Sequence, residues 1–485
     1  MDTRQCDVLV IGYGGAGAAA AIEAHDAGAD VLVVERAAEG GGNTRDSGGS
    51  LRTIVDDVLA ADHFEALTFG STPRDVIETF VQGIEPMLEW LVKNGGELTS
   101  WTGIGGFPSS RRVTAYPGIP GGEGLGTRRR VKPVGDEAGG GQALWEVLDG
   151  AVRSRRIPIS YGVRARRLTR NAAGEVTGAL VDTTTGAQEV QVRRGVVLAC
   201  GGFSYDAAMQ RQFFGLTLPS FGPPGQNAGD GVRMAQDIGA DLWHMNAAAA
   251  VFGYIVPDHI AAFQHRMPSA GYIYVDRHGR RFVDEPGPDN HALGKLLLQF
   301  DAMLAEYPRI PSYVVFDETT RRSGPIAHIR GGYNRRFGWS ADNSKEIERG
   351  WIQQAPTVSE LAAQIGLDPE TLVSTVNRYN EHCATGVDSD FGRTDGLQAL
   401  ATPPFYAIRA EPCLLNTQGG PRRDAQARII DVFGEPIPRL YGAGELGSIW
   451  SSLYPGSGNV SEALIFGRIA GREAAGLNGF TMVNS

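Results

Sequence analysis

The sequence is poor in cysteine and has no long hydrophobic run, and each shortage excludes a class of protein. The 485 residues include four cysteines and no Cys-x-x-Cys pair, so we expect no disulfide framework, no iron–sulfur cluster and a reducing, cytoplasmic location. No metal site is predicted. No stretch reaches the roughly 18 apolar residues of a membrane span, and the N-terminal residues do not resemble a secretory signal. The net charge of −10 argues against nucleic acid and anionic membranes as partners.

Glycine, in contrast, is abundant. The chain has 66 glycines, about twice the usual share of roughly 7%. Residues of this type serve tight turns and places where the backbone approaches a ligand. The hydrophobic content of 42% and charged content of 21% are ordinary for a globular protein, and the length predicts two to three domains.

The first 35 residues predict one β-α-β unit that binds a dinucleotide. Residues 8–11 form an apolar, buried strand, and the pattern Gly12-x-Gly14-x-x-Gly17 follows it at the start of a helix rich in small residues. Gly12 permits the tight turn, Gly14 lets the backbone approach a pyrophosphate, and Gly17 lets the helix pack on the strand. Glu35 ends the next strand, where its carboxylate can accept the hydroxyls of a ribose.

Three later segments favour FAD over NAD as the dinucleotide. Residues 40–50 form a second glycine-rich loop that suits a flavin's ribityl arm, residues 195–203 end a strand in a glycine pair, and residues 437–448 return to the same cofactor. With these motifs the chain resembles the fumarate reductase/succinate dehydrogenase flavoprotein superfamily over nearly its whole length. The resemblance implies an α/β fold, in which a Rossmann-like, glutathione-reductase-type FAD-binding domain is split into residues 1–245 and 401–485. An α+β capping domain, residues 246–400, is inserted between them.

The motifs and the resemblance together indicate the cofactor-binding residues. No histidine lies in residues 40–50, where succinate dehydrogenases attach FAD covalently, so the resemblance implies that FAD is bound non-covalently. The predicted cofactor-binding residues are Gly12, Gly14, Gly15, Ala16, Gly17, Glu35, Arg36, Gly42, Asn43, Thr44, Ser47, Gly48, Gly49, Ala165, Ala199, Gly201, Gly444, Glu445, Gly458, Asn459 and Val460.

The C-terminal residues 451–471 resemble the end of 3-ketosteroid dehydrogenases, where a Tyr-Pro-Gly-x-Gly turn precedes the last helix. The resemblance implies that the Tyr454 hydroxyl and the Gly458 amide bind a ketone oxygen. Two donors on a carbonyl stabilise the enolate-like charge that develops when the neighbouring hydrogen leaves. The alternative is that Tyr454 only packs under the turn. Gly458, Asn459 and Val460 open a helix whose positive end would face the flavin.

The residue that transfers the proton stays open. Arg321 and Glu285 match the proton-donating arginine and relay acid of the fumarate-reducing branch, but Arg321 is equally well read as part of a solvated turn. The ketosteroid branch has a tyrosine where this chain has residues 286–295, and there His291 is either a base near neutral pH or an exposed loop residue. Asn416 stands where the fumarate-reducing branch has a histidine, which disfavours a dicarboxylate substrate.

The resemblance implies an FAD-dependent dehydrogenase or reductase that adds or removes two hydrogens across a C–C bond beside a carbonyl. A 3-ketosteroid dehydrogenase-like enzyme is the favoured reading. The alternatives are a reductase of an α,β-unsaturated acid with Arg321 as proton donor, and a flavoprotein that passes electrons to a partner. The expected partners are a small ketone or enoate and an unidentified electron donor or acceptor. Residues 101–130 form a long Gly- and Arg-rich connection that either lines the substrate entrance or is solvated.

Overall fold

The computed structural model describes residues 3–101, 113–133, 139–328 and 332–476. They form a mixed α/β fold with two large sheets. The strands are β1 (Thr3–Ile11), β2 (Val31–Glu35), β3 (Leu98–Trp101), β4 (Arg128–Val131), β5 (Ile159–Tyr161), β6 (Arg164–Arg170), β7 (Val176–Thr183), β8 (Gly186–Leu198), β9 (Leu242–Trp243), β10 (Ala248–Tyr254), β11 (Phe263–Gln264), β12 (Tyr272–Val275), β13 (Ser312–Asp317), β14 (Gln353–Ala355), β15 (Phe405–Thr417), β16 (Gly420–Pro421), β17 (Arg428–Ile430) and β18 (Pro436–Gly442).

The α-helices lie mostly between these strands. They are α1 (Gly15–Asp26), α2 (Gly42–Asp46), α3 (Asp57–Thr68), α4 (Arg74–Gln82), α5 (Ile84–Lys93), α6 (Gly140–Ser154), α7 (Ala207–Phe214), α8 (Asp230–Asp237), α9 (Asn290–Leu297), α10 (Glu318–Arg322), α11 (Ser344–Glu348), α12 (Val358–Ile365), α13 (Pro369–Thr385) and α14 (Asn459–Ala474). Within the described ranges, no helix has the length and hydrophobicity that crossing a membrane requires.

The first sheet has the strand order β17-β18-β8-β1-β2-β5, and the hairpin of β6 and β7 joins it at the start of β8. The strands β18, β8, β1, β2 and β5 run parallel to one another, and β17 is antiparallel to β18. Residues 8–11 are almost fully buried because α1 and α14 pack on one face of the sheet, and the hairpin of β6 and β7 with α7 and α8 packs on the other. The predicted β-α-β unit is therefore present as β1, α1 and β2.

Helices α1 and α14 cross in close contact on one face of this sheet. A Cβ atom on Gly467 would lie 2.5 Å from the Ala16 carbonyl oxygen, and one on Gly471 would lie 2.2 Å from the Ala20 oxygen. Real Cβ atoms do not approach this closely, so the two glycines let the helix backbones touch. The contact holds the C-terminal helix against the first helix of the chain and brings both helix N-termini to one side of the sheet.

The second sheet is antiparallel and has the order β11-β10-β15-β13-β12, with β14 also paired to β15. Helices α12 and α13 pack on one face of it. Gly366 ends α12 with a φ of +74°, a left-handed conformation that glycine adopts without strain. The central strand β15 follows residue 400, so this sheet draws on residues from 248 to 417.

Parallel pairing decides where a ligand site can form. Strands β1, β2 and β8 all end at the same edge of the first sheet, at Ile11, Glu35 and Leu198. In open α/β sheets, ligands bind outside the carboxyl ends of the strands. A large cavity opens at this edge and reaches the second sheet.

Candidate active site

The cavity has a volume of about 1020 Å³ and is lined by both sheets and by the loops between them. The first sheet contributes the turns after β1, β2 and β8. The second sheet contributes Val251, Gln264, Leu415 and Asn416, and Arg266 follows β11. Most predicted cofactor residues line it: Gly12, Gly14, Gly15, Ala16, Glu35, Arg36, Gly42, Asn43, Thr44, Ser47, Gly48, Ala165, Ala199, Gly201, Gly444, Glu445, Asn459 and Val460.

The glycine fingerprint surrounds the N-terminus of α1. Gly14 precedes this helix without a side-chain cap, and a Cβ atom on it would meet only the Gly41 oxygen at 3.7 Å. Gly17 is not among the cavity-lining residues: its Cβ position lies 1.9 Å from the Gly12 oxygen, so it serves the predicted packing of helix on strand. An uncapped helix N-terminus that faces a cavity is suited to a phosphate group.

The carboxylate of Glu35 is held at the cavity by two backbone amides. Tyr13 N–H and Ala37 N–H each donate to it over 2.8 Å. Burial raises the pKa of Glu35, and these amides oppose the rise. The neighbouring Arg36 pairs with Asp230 over 3.1 Å. This geometry suits the predicted role of Glu35 as an acceptor for ribose hydroxyls.

The second glycine loop presents a buried acceptor without a donor. The Asn43 amide nitrogen donates to the Glu445 carboxylate over 2.9 Å, while its Oδ1 is buried and receives no hydrogen bond within the described residues. Burial raises the pKa of Glu445 to about 7. Gly49 does not line the cavity, because it packs against the backbone of Gly140. A buried orphan acceptor at a cavity wall indicates that a ligand completes the site.

Tyr454 also lines the cavity. Its hydroxyl oxygen accepts hydrogen bonds from the amides of Gly458, over 2.9 Å, and Asn459, over 3.0 Å. Both amides lie at the N-terminus of α14. Burial raises the pKa of Tyr454, and the two amides and the nearby Arg52 lower it. The Gly458 amide thus binds the tyrosine oxygen, and Gly458 itself does not line the cavity.

His291 lies beside Tyr454. The two rings meet edge to face with centroids 4.7 Å apart and an interplanar angle of 87°. His291 lines the cavity, and its Nδ1 is buried without a hydrogen-bond partner among the described residues. Burial lowers the pKa of His291, Asp289 opposes this, and Arg128 and Arg52 lower it further. Burial therefore favours the neutral form of the histidine, which is not an exposed loop residue.

Arg321 and Glu285, in contrast, do not line the cavity. Arg321 lies on α10, where it pairs with Glu318 over 2.6 Å and donates to the Asp342 carbonyl. Glu285 is buried between Arg281, at 2.8 Å, and Arg393, at 3.1 Å. Arg321 and Glu285 thus form ion pairs with residues around the second sheet and do not reach the cavity wall.

Several cavity residues were not singled out from the sequence. Tyr116 lies with His291 and Tyr454 around a small adjoining pocket. Arg128 and Arg130 line the main cavity, while residues 102–112 of the same connection lie outside the described residues. Their alternation with the exposed Arg129 is the period-two signal of a strand. The buried Arg52 donates to the carbonyls of residues 113, 455 and 456.

The fold and the cavity define a dinucleotide-binding enzyme. Residues 7–460 match the family model of the FAD binding domain, and the chain belongs to this family. Digoxin reductase from Eggerthella lenta is 29% identical over 98% of this chain and 87% of its own length. Fumarate reductase (cytochrome) from Shewanella frigidimarina is 27% identical over 97% of this chain and 77% of its own length.

The fold is also that of a solved flavoenzyme. The crystal structure of 3-ketosteroid Δ1-dehydrogenase from Sterolibacterium denitrificans superimposes with a TM-score of 0.85 at 24% identity, covering 98% of this chain and 100% of that chain. The predicted membership of the fumarate reductase/succinate dehydrogenase flavoprotein superfamily is confirmed. The protein is an FAD-dependent oxidoreductase of a family whose members act on C–C bonds as dehydrogenases or reductases.

Proposed function

We propose that the protein adds or removes two hydrogens across a C–C bond beside a ketone, as a 3-ketosteroid dehydrogenase-like enzyme does. FAD, when bound, supplies the hydride-transferring flavin ring. The proposal rests chiefly on one observation: a tyrosine hydroxyl, fixed by two amides at a helix N-terminus, lies against a neutral histidine at the cavity wall.

Tyr454 acts as the donor to the ketone oxygen. Its oxygen accepts from two amides, so its own proton remains for a further bond. The positive end of α14 and the charge of Arg52 make that proton a stronger donor. A donor in place before the reaction stabilises the enolate-like charge without rearrangement. This differs from the sequence expectation, because Gly458 acts through the tyrosine and does not contact the substrate.

His291 acts as the base that accepts the proton from the carbon next to the ketone. It is neutral, lines the cavity and lies against the ring of the tyrosine that would hold the ketone oxygen. In the reverse direction the protonated histidine returns the proton to that carbon. A hydride leaves or joins the adjacent carbon, so one hydrogen of the bond moves as a proton and the other as a hydride.

The presence of two sheets supports separate parts of the chain for binding the cofactor and for covering the substrate. We propose that residues 1–245 and 401–485 form a Rossmann-like, glutathione-reductase-type domain that binds FAD non-covalently, and that residues 246–400 form a cap over the substrate, whose sheet takes its central strand β15 from the second of the two segments. Close contact of α1 with α14 supports the first part, since it unites the two segments. The cap would exclude water from the reacting bond.

Anaerobic titration of the yellow holoenzyme tests this function. We expect saturated cyclic ketones, a 3-ketosteroid among them, to bleach the flavin absorbance, or enones to restore it after reduction with dithionite. An FAD-loaded enzyme that reacts with unsaturated acids and with no ketone or enone would contradict the proposal.

The pH dependence should identify His291. Because burial lowers the pKa of His291, its neutral, basic form persists to a lower pH than that of a free histidine. As the pH is lowered, kcat/KM for dehydrogenation should therefore begin to fall only below the ordinary histidine pKa of about 6.5. His291→Asn should lose this acid limb and about 10²–10⁴-fold in rate. A variant that keeps both the limb and the rate would show that another group is the base.

The Arg321→Gln variant distinguishes the proposed function from its alternative, an α,β-unsaturated-acid reductase that uses Arg321 as proton donor. Since Arg321 does not line the cavity, turnover should stay within about twofold, whereas loss of a proton donor would cost about 10² or more. Arg322→Gln is the matched control, because Arg322 contacts the same Glu318 over 2.6 Å. Loss of turnover in Arg321→Gln alone would favour the reductase.

A further inference from the structure

Arg52 differs from the other buried arginines of the described residues in the way its charge is compensated. It is 0% exposed and does not line the cavity. Five arginines are buried in the described part of the chain, and the other four each form an ion pair with a carboxylate: Arg45 with Glu39, Arg393 with Glu285, Arg423 with Glu462 and Arg468 with Glu23. Arg52 forms no ion pair with a carboxylate of the described residues.

Backbone carbonyls surround its guanidinium group instead. Nη1 donates to the carbonyl of Val113, and Nη2 donates to the carbonyls of Pro455, over 3.2 Å, and Gly456. These oxygens accept hydrogen bonds but carry no net charge. Burial lowers the pKa of Arg52 to about 9, so the guanidinium is still charged at neutral pH. Because an uncompensated buried charge is costly, this one indicates that an anion completes the site.

Arg52 is joined to the Tyr454 turn at two places. Its side chain contacts the carbonyls of the two residues that follow Tyr454, and its backbone amide donates to Ser461 Oγ, in the first turn of α14, over 3.0 Å. The Tyr454 hydroxyl is itself held by two amides at the N-terminus of α14. The charge of Arg52 and the positive end of the helix therefore act on the same hydroxyl from behind the cavity wall.

The charge of Arg52 also reaches the other titratable groups around this turn. Burial raises the pKa of Tyr454 and lowers that of His291, and Arg52 lowers both. The groups that act on Arg52 in return are Arg128, which has a like charge, and Tyr454 and Asp289, which attract it. The Asp289 carboxylate accepts the amide of His291 over 2.9 Å. The positive potential of Arg52 thus extends to the cavity wall, where it favours an anion.

We infer that Arg52 is a positioning residue whose charge is the counter-charge for an oxygen anion at Tyr454, and that the site therefore binds acidic phenols and enols as their anions. The inference rests on the proposed function, since the enolate formed from the ketone is such an anion, and it adds a class of ligand to the same site. On binding, the O–H bond of the phenol breaks, its oxygen keeps the electron pair and its proton passes to the buffer. A charge-assisted hydrogen bond from Tyr454 then holds the anion.

Calorimetric titration of the oxidised holoenzyme tests the inference without turnover. The probes are 4-methylphenol, 4-chlorophenol and 4-cyanophenol, which are similar in size and increasingly acidic. Titration in two buffers with different heats of ionisation counts the protons released on binding. At a pH below the pKa of free 4-cyanophenol, we expect this phenol to bind at least about 10-fold more tightly than 4-methylphenol and to release a proton.

Three variants separate the charge of Arg52 from its structural contacts. Arg52→Gln removes the charge and should weaken 4-cyanophenol about 10-fold and 4-methylphenol less than about twofold, without proton release. Arg52→Lys keeps the charge with fewer donors and should keep the proton release. Arg129→Gln is the matched control and should bind like the native enzyme, because Arg129 is exposed and its backbone pairs with Leu51, next to Arg52. Equal losses of all three phenols in Arg52→Lys and Arg52→Gln would show a structural role and overturn the inference.

The outcomes separate this inference from the proposed function. Equal affinity of the native enzyme for the three phenols, with no proton release, would overturn the inference even if Arg52→Gln did not fold. If saturated ketones still bleached the flavin in that case, the proposed function would stand. An enzyme that binds 4-cyanophenol as its anion through the charge of Arg52 and reacts with no ketone or enone would instead refute the proposed function and retain the anion site.

Discussion

Replacing Gly14 with valine should leave the chain folded and remove its flavin. A Cβ atom at this position would lie 3.7 Å from the Gly41 oxygen, and the valine would project into the cavity at the N-terminus of α1, where a pyrophosphate would bind. We expect FAD affinity to fall by more than about 100-fold, on the order of 3 kcal/mol. The measurements are the flavin absorbance of the purified protein and a titration with added FAD.

Gly150→Val is the control for this substitution. Gly150 lies on the exposed side of α6, and a Cβ atom there has no neighbour within 4 Å. The control should cost about 1 kcal/mol or less in stability and remain yellow. A Gly14→Val protein that keeps native FAD affinity would refute the assignment of the phosphate to this loop. Circular dichroism of both variants shows whether a loss of flavin results from a loss of folded structure.

Tyr454→Phe should lower the rate of flavin reduction by about 10²–10³-fold, the usual cost of removing one donor from a developing oxyanion. The ring would keep its packing against His291, and FAD should remain bound. Rapid-mixing reduction with a saturated ketone measures the step directly. The loss should appear in kcat more than in KM, because the bond strengthens as charge develops on the oxygen.

Tyr441→Phe serves as the matched control. The Tyr441 hydroxyl donates to the Glu473 carbonyl over 3.3 Å, and Tyr441 is not among the residues that line the cavity. Its removal should leave the rate within about twofold. If Tyr454→Phe reduced at the native rate, the tyrosine would be a packing residue, as the alternative reading of the sequence holds.

The cofactor half of the site was predictable because its determinants are local. Gly12, Gly14 and Gly17 lie within one turn and the start of one helix, so their spacing alone defines how the backbone approaches a phosphate. Glu35 follows in the adjacent parallel strand, and parallel pairing brings its carboxylate to the same edge. Gly12, Gly14 and Glu35 line the cavity, while Gly17 packs against backbone behind the cavity wall, as its spacing predicts, and Gly49 also packs there.

The sequence by itself did not determine which of the many arginines reach the rest of the cavity. By itself it determined the dinucleotide fold, FAD and the Tyr454 turn. Only the tertiary structure separated Arg128 and Arg130, at the cavity, from Arg321, paired with Glu318 elsewhere. The physical reason is that a glycine's role follows from the local backbone, whereas a charged side chain acts through whatever distant residues the fold brings within about 4 Å of it.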